Sequence, residues 1–284
     1  MKPLLENAAR RAAEYLASLP ERRVAPTADA VRRLSALDVP LQHEPREPAL
    51  VLAELDDLVT PATMAMAGPR FFGFVIGGSL PAALAANWLA GAWDQNTGLY
   101  SITPGVAHLE QVVLRWLNDL FGLPPGTTGA FVTGATMANF TALAAARHAV
   151  LQRAGWNVEA DGLFGAPPVT VVVGEEVHVT VQKALGMLGL GRNRVVRVPV
   201  DAQGRMRAGE LPRIAGPTIL CMQAGNVNSG AFDPIAEVCE RAQQAGAWVH
   251  VDGAFGLWAK ASPRYAHLVQ GVERADSWST DAHK

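Results

Sequence analysis

Six short runs recur between residues 129 and 280, most of them continuous stretches of β-branched and other apolar residues: GAFVT (129–133), VTVVV (169–173), RVVRVP (194–199), TILCM (218–222), AWVHV (247–251) and SWST (277–280). No other feature restricts the fold as strongly. A strand with one face in water alternates apolar and polar residues, whereas a run that is apolar throughout suits a strand covered on both faces. Between the runs lie stretches of helical pattern, MANFTALAAARHAVLQRA, VTVQKALGMLG and PIAEVCERAQQAG, each long enough to cross over a sheet. The alternation predicts an α/β fold built on a mostly parallel sheet.

The front of the chain reads differently. MKPLLENAARRAAEYLASLP predicts an amphipathic helix ended by Pro20, with Leu4, Leu5, Ala8, Ala12, Tyr15, Leu16 and Leu19 roughly on one side. Pro26, Pro40, Pro45 and Pro48 break the remainder into short pieces. The expected organisation is a helical arm over residues 1–60 and one large domain over 61–284. No internal repeat or low-complexity segment interrupts it.

Composition narrows the function. With 49% apolar residues among 284 the chain can bury a sizeable core. Its 24 basic and 26 acidic residues form no basic run, so nothing marks a surface for nucleic acid or an anionic membrane. A small, roughly neutral ligand fits better. No apolar run approaches the roughly 18 residues of a membrane span, and the N-terminus lacks the continuous apolar core of a signal peptide and carries Glu6 and Glu14. A cytoplasmic location is the default expectation. Cys221 and Cys239 sit in a strand-like and a helix-like run, without zinc or redox spacing, and are expected to be buried free thiols.

Four places hold residues that suit chemistry. In HVDGAFG, Asp252 follows a strand, where a parallel sheet borders its ligand crevice; it either meets a ligand there or caps the next turn. In FVTGATMANF a strand, a turn of small and hydroxyl residues and a long helix follow one another, with Thr136 as the expected N-cap; the helix N-terminus is either simply capped or seats a phosphate. This is not a P-loop, since G-x-x-x-x-G-K-[ST] is absent, and GMLGLG has its glycines in the wrong order for a dinucleotide fingerprint. His178 stands between a strand and a helix, beside Glu175 and Glu176; no second spaced histidine supports a metal. Finally, Lys284 follows the SWST run, so that Asp252 and Lys284 can meet across one crevice with the helix terminus and a histidine.

Taken in order, PRFFGFV, PAALAANWLAGAWDQN, ITPGVAHLEQVVLRWL, TGATMANFTALAAAR, GNVNSGAFDPIAEVCERA, HVDGAFG and ADSWSTDAHK resemble the group II decarboxylases that use pyridoxal phosphate, the family of aromatic-amino-acid and glutamate decarboxylases. The resemblance runs from about Pro69 to Lys284. It implies a fold-type-I large domain, the cofactor pyridoxal 5'-phosphate, a homodimer, and removal of the α-carboxylate of an L-amino acid. It also implies a natural chain that continues past Lys284 into a C-terminal domain.

Carried over residue by residue, Lys284 resembles the lysine that bonds covalently to the cofactor aldehyde, and Asp252 the carboxylate that pairs with the pyridine nitrogen. His178 and Ala254 match the residues against the two faces of the ring. Gly134, Ala135 and Thr136 match the phosphate turn, with His283 near the phosphate. Phe74 and Val75 fall where relatives build a substrate pocket, though ordinary core positions would read the same. Several residues depart from the pattern: Asn226 stands for a threonine that contacts the ring hydroxyl, Met137 for an acidic residue, and DAHK for Asn-Pro-His-Lys. Another pyridoxal phosphate reaction, of aldol-lyase or aminotransferase type, and a non-catalytic binding fragment remain open alternatives.

Overall fold

A computed structural model describes all residues, 1–284. The chain divides into two compact units, Met1–Trp88 with His283, and Leu89–Ala282 with Lys284. In the first unit, α1 (Lys2–Ser18) stops just short of Pro20, whose ring and missing N–H cannot continue a helix. Thr27 caps α2 (Ala28–Arg33), its hydroxyl accepting the Ala30 N–H at 3.1 Å. Arg11 of α1 reaches Asp56 of α3 (Pro48–Val59) at 2.5 Å. Arg22 donates to the Thr60 carbonyl and lies over the Tyr15 ring, 5.0 Å from its centroid. Helix α4 (Pro81–Trp93) spans the boundary between the units.

The second unit opens with α5 (Pro104–Phe121). Gly122 ends it in the left-handed region (φ 58°), where the N–H groups of Gly122 and Leu123 turn back to the Asp119 and Asn118 carbonyls at 3.2 and 3.0 Å. Residues 129–133, expected as a strand, are not one. Phe131 and Val132 are exposed, and the Phe131 N–H goes to the Glu110 side chain at 3.1 Å. A β-branched run becomes a strand only where a neighbouring backbone pairs with it, and here a side chain takes that place.

Then follow α6 (Ala135–Arg153), α7 (Val158–Asp161), β1 (Thr170–Gly174), α8 (Val179–Met187), β2 (Val196–Val198), β3 (Thr218–Gln223), α9 (Ile235–Gln244), β4 (Trp248–Asp252) and β5 (Ser277–Ser279). The other five predicted strands are therefore present. They form one sheet in the order β2-β1-β3-β4-β5, and every pairing is parallel. All six residues of central β3 are buried, which is why TILCM needs no polar alternation.

One core lies on each face of the sheet. Leu143 of α6 and Val181 and Leu185 of α8 pack on Val171, Val173, Ile219 and Cys221. Val238 and Cys239 of α9 pack with Leu220, Met222, Val249 and Val251 on the opposite face. Both thiols are free and buried, and burial pushes each up to about 12, so they behave as small apolar side chains. No helix is long and apolar enough to cross a membrane.

Candidate active site

Strand register places the polar side chains. Ile219 pairs with Trp248, Cys221 with His250 and Gln223 with Asp252; His250 in turn pairs with Ser277, and Asp252 with Ser279. Because alternate residues of a strand share a face, Gln223, His250, Asp252, Ser277 and Ser279 stand together on the face covered by α6 and α8. The row is apolar over β1 and turns polar toward β5 and toward the carboxyl ends. The chain leaves β1 for β2 on one side and returns to β3 on the other, so the strand order reverses between β1 and β3, where an open parallel sheet leaves a crevice.

Asp252 ends β4 and is only 6% exposed. Its Oδ2 accepts from Asn139 Nδ2 at 2.9 Å and its Oδ1 from the Ala254 N–H at 3.1 Å. No ion pair is made to it. A buried carboxylate held by two neutral donors keeps lone pairs for a cationic N–H, which would offset the cost of burying the charge. Ala254, next in line, is partly buried, and its carbonyl accepts the Asp281 N–H at 3.0 Å.

Asn139 is fully buried on the second turn of α6 and touches four side chains. Besides Asp252 it meets Thr180 Oγ1 at 3.0 Å, His250 Nε2 at 2.9 Å and Ser279 Oγ at 2.7 Å. His250 is also fully buried, and its Nδ1 lies 3.0 Å from Ser277 Oγ, which accepts from Trp248 Nε1 at 2.9 Å. Burial drives its pKa down to about 4, against the opposing pull of Asp252 and of the Ser277 backbone, so the ring is neutral at pH 7.

His178 is the N-cap of α8. Its Nδ1 lies 2.8 Å from Thr180 Oγ1 and accepts the Thr180 N–H at 3.4 Å, while its own N–H donates to Gln223 Oε1 at 2.9 Å. Gln223 also donates to the Glu176 carbonyl at 3.1 Å, tying the ends of β1 and β3 across the reversal point. Asp233 anchors the far side of this loop. Its carboxylate accepts the N–H groups of Met206 and Gln223, both at 2.7 Å, and burial outweighs those bonds to push its pKa up to about 6.

Helix α6 begins two residues earlier than expected. Gly134, not Thr136, is its N-cap; its φ of 123° is open to glycine and strained for other residues, and no side chain closes the helix end. Ala135 and Thr136 therefore lie in the first turn, and their N–H groups belong to the set that a helix leaves unpaired, a seat for an anion. A Cβ built on Gly134 meets nothing within 4 Å, so the approach to that end is open.

Asn226 is buried and heavily engaged. Its Nδ2 donates to Glu176 Oε2 at 2.8 Å, and its Oδ1 accepts from the N–H groups of Asn228 and Ser229 at 2.9 and 3.3 Å. One amide hydrogen is left for a ligand. A cleft of about 520 Å³ lined by Glu176, His178, Gly204, Asn226 and Ser229 adjoins it. His283 and Lys284 follow β5 and are exposed. Phe74 is 82% exposed and Val75 partly buried; both have left-handed backbones, with φ of 63° and 49°. No group of three or more His, Cys, Asp or Glu side chains is arranged to hold a metal.

The structure thus joins His178 and Asp252 through Thr180 and Asn139, residues the sequence reading passed over. A signal was available: His250 and Asp252, and Ser277 and Ser279, repeat at i, i+2 in otherwise apolar strands, and Asn139 is a lone amide near the start of an alanine-rich helix. What was missing was the register that faces one pair to the other.

Comparison with known proteins follows the same lines. The family model described as the pyridoxal-dependent decarboxylase conserved domain matches residues 31–284. Human cysteine sulfinic acid decarboxylase is 33% identical over 224 residues, covering 76% of this chain and 44% of its own. Tryptophan decarboxylase 1 of Oryza sativa subsp. japonica is 30% identical over 256 residues, covering 83% of this chain and 49% of its own. The chain spans about half the length of these relatives. A crystal structure of Oryza sativa TDC with PLP and tryptamine superposes with a TM-score of 0.88 at 25% identity, over 100% of this chain and 63% of the other. Mouse CSAD in its apo form gives 0.86 at 26% identity, over 100% and 62%. With the family model spanning nearly all of it, the chain belongs to the pyridoxal-dependent decarboxylase family, whose cofactor is pyridoxal phosphate.

Proposed function

We propose that the protein removes the α-carboxylate of an L-amino acid with pyridoxal 5'-phosphate, releasing CO₂ and the corresponding amine. The observation that carries this reading is Asp252, a buried carboxylate at the carboxyl end of a parallel strand, held by neutral donors and without a cation. Such a group suits the protonated nitrogen of a pyridine ring. Bound pyridoxal phosphate supplies an electron sink for the pair released when the bond from Cα to the carboxylate breaks.

The chain's own residues divide the remaining work. Asp252 keeps the ring nitrogen protonated, while His178 and Ala254 flank the ring and hold its plane, which decides which bond at Cα is aligned for cleavage. The first turn of α6, at Gly134, Ala135 and Thr136, receives the phosphate with backbone N–H groups, and His283 adds a donor there. The free Asn226 hydrogen serves the ring hydroxyl. Lys284 would provide the amine that holds the cofactor covalently. Phe74 and Val75 are the proposed pair that meets the substrate side chain.

Residues 61–284 form the proposed cofactor-binding domain and 1–60 the arm. Exposed Trp88, Leu89, Trp93, Leu109 and Trp116 on α4 and α5 support a homodimer, and two free thiols agree with a cytoplasmic location. The relatives named above act on cysteine sulfinic acid and on tryptophan, so the proposed substrate class is L-α-amino acids. Incubating the holoenzyme with a panel of these and measuring CO₂ tests the proposal. Release of CO₂ with one equivalent of amine is expected; an aldehyde or keto acid without CO₂ would overturn it.

A further inference from the structure

Eight side chains on β4, β5 and the N-terminal turns of α6 and α8 form one hydrogen-bonded network, and the position of each proton in it can be worked out. Asp252, as a carboxylate, only accepts, so the Asn139 atom facing it must be Nδ2. The second Nδ2 hydrogen points to Thr180 Oγ1. That leaves the Thr180 hydroxyl hydrogen for His178 Nδ1, which also receives the Thr180 backbone N–H and so must be the bare nitrogen. The His178 proton then sits on Nε2.

The other end is equally determined. Asn139 Oδ1 only accepts, so Ser279 Oγ and His250 Nε2 both donate to it. His250 Nδ1 is then bare and takes the Ser277 hydroxyl hydrogen, while Ser277 Oγ accepts from Trp248 Nε1, which can only donate. The series starts on a donor-only group, Trp248, and ends on an acceptor-only one, Asp252, and each of these side-chain contacts sets a donor against an acceptor. Satisfied buried networks of this kind permit a single arrangement, whereas a partly satisfied one is costly.

We propose that Asn139 is the positioning residue of this site: one amide hydrogen fixes the Asp252 carboxylate, and the other, acting through Thr180, holds His178 in its Nε2–H form. The inference rests on the proposed roles of Asp252 and His178 toward the cofactor and adds the group that sets both at once. A neutral His178 beside a cationic ring avoids like-charge repulsion, and Asp252 is oriented before any cation arrives.

The test uses the protein with ¹⁵N-labelled histidine, with and without pyridoxal phosphate, and reads each imidazole tautomer by long-range ¹H–¹⁵N correlation. In the parent protein both His178 and His250 are expected as Nε2–H forms. Asn139→Ala should disturb both signatures and weaken pyridoxal phosphate binding tenfold or more by equilibrium dialysis. Thr180→Val should disturb His178 while His250 keeps its Nε2–H form, a split that general loosening of the fold would not produce. Asn139→Ala that folds with an unchanged His178 signature and an affinity within twofold of the parent would overturn the proposal. So would Thr180→Val with His178 unchanged, and this variant decides alone if Asn139→Ala does not fold. Neither readout measures CO₂, so failure of the decarboxylase reading would register separately.

Discussion

His250 and Asp233 titrate in opposite directions over the same pH range, and separating them gives a strict test of the buried network. In the unfolded chain the imidazole titrates near 6.5, whereas in the fold burial lowers it to about 4. Its contribution to stability is therefore fully present above 6.5 and is lost as pH falls toward 4, because the unfolded state takes up a proton the folded state refuses. Between pH 7 and pH 5 this amounts to about 2 kcal/mol of lost stability. Asp233 works the other way: its pKa rises from 3.8 to about 6 on folding, so the folded state takes up its proton first on acidification. Over the same interval that returns about 1 kcal/mol. In the parent protein Asp233 thus offsets roughly half of what His250 loses.

His250→Gln breaks the balance. The glutamine amide retains an N–H for Asn139 Oδ1 and does not titrate. Urea unfolding followed by tryptophan fluorescence at pH 7 and pH 5, on cofactor-free parent and variant, gives the stability difference at each pH. That difference should change by about 2 kcal/mol between the two, the variant gaining relative to the parent on acidification. A difference that stays constant within about 0.5 kcal/mol would refute the claim that burial holds His250 neutral.

Two further substitutions probe the frame around the site. Asp233→Asn sets an amide donor against one of the two backbone N–H groups its carboxylate now accepts, from Met206 and Gln223. Urea unfolding at pH 7 should show a loss of about 1–3 kcal/mol even though a buried charge is removed, since an unmatched buried donor outweighs the relief. Gly256→Ala places a Cβ 1.9 Å from the Ala224 carbonyl oxygen, a backbone atom that cannot swing aside. A loss above about 3 kcal/mol, or no soluble folded protein by circular dichroism, is expected.

The α/β class and most of the strands were legible because a parallel sheet covered on both faces demands continuous apolar runs, and TILCM, VTVVV and AWVHV meet that demand in any context. GAFVT meets it equally well and is not a strand, because pairing is a property of the neighbour: the Phe131 N–H faces the Glu110 side chain rather than a backbone. The start of α6 failed for a related reason. Thr136 has the chemistry of a cap, but the φ of 123° that turns the chain into the helix falls on Gly134, and residue preference does not report where that turn sits.

For the site, the ordered motifs pointed to Asp252, His178 and the α6 turn, while Asn139, Thr180, His250, Ser277 and Ser279 carried no motif of their own. The sequence by itself determined which strands could be buried, that acids and glycines fall at their carboxyl ends, and the family those motifs resemble. Only the tertiary structure decided that Asp252 pairs with Ser279 and His250 with Ser277 under Asn139, residues more than a hundred positions apart in the case of the amide and the carboxylate. The physical reason is range. Periodicity and capping act over a few residues, whereas the direction of a buried hydrogen bond is set by whichever donors and acceptors packing brings within about 3 Å.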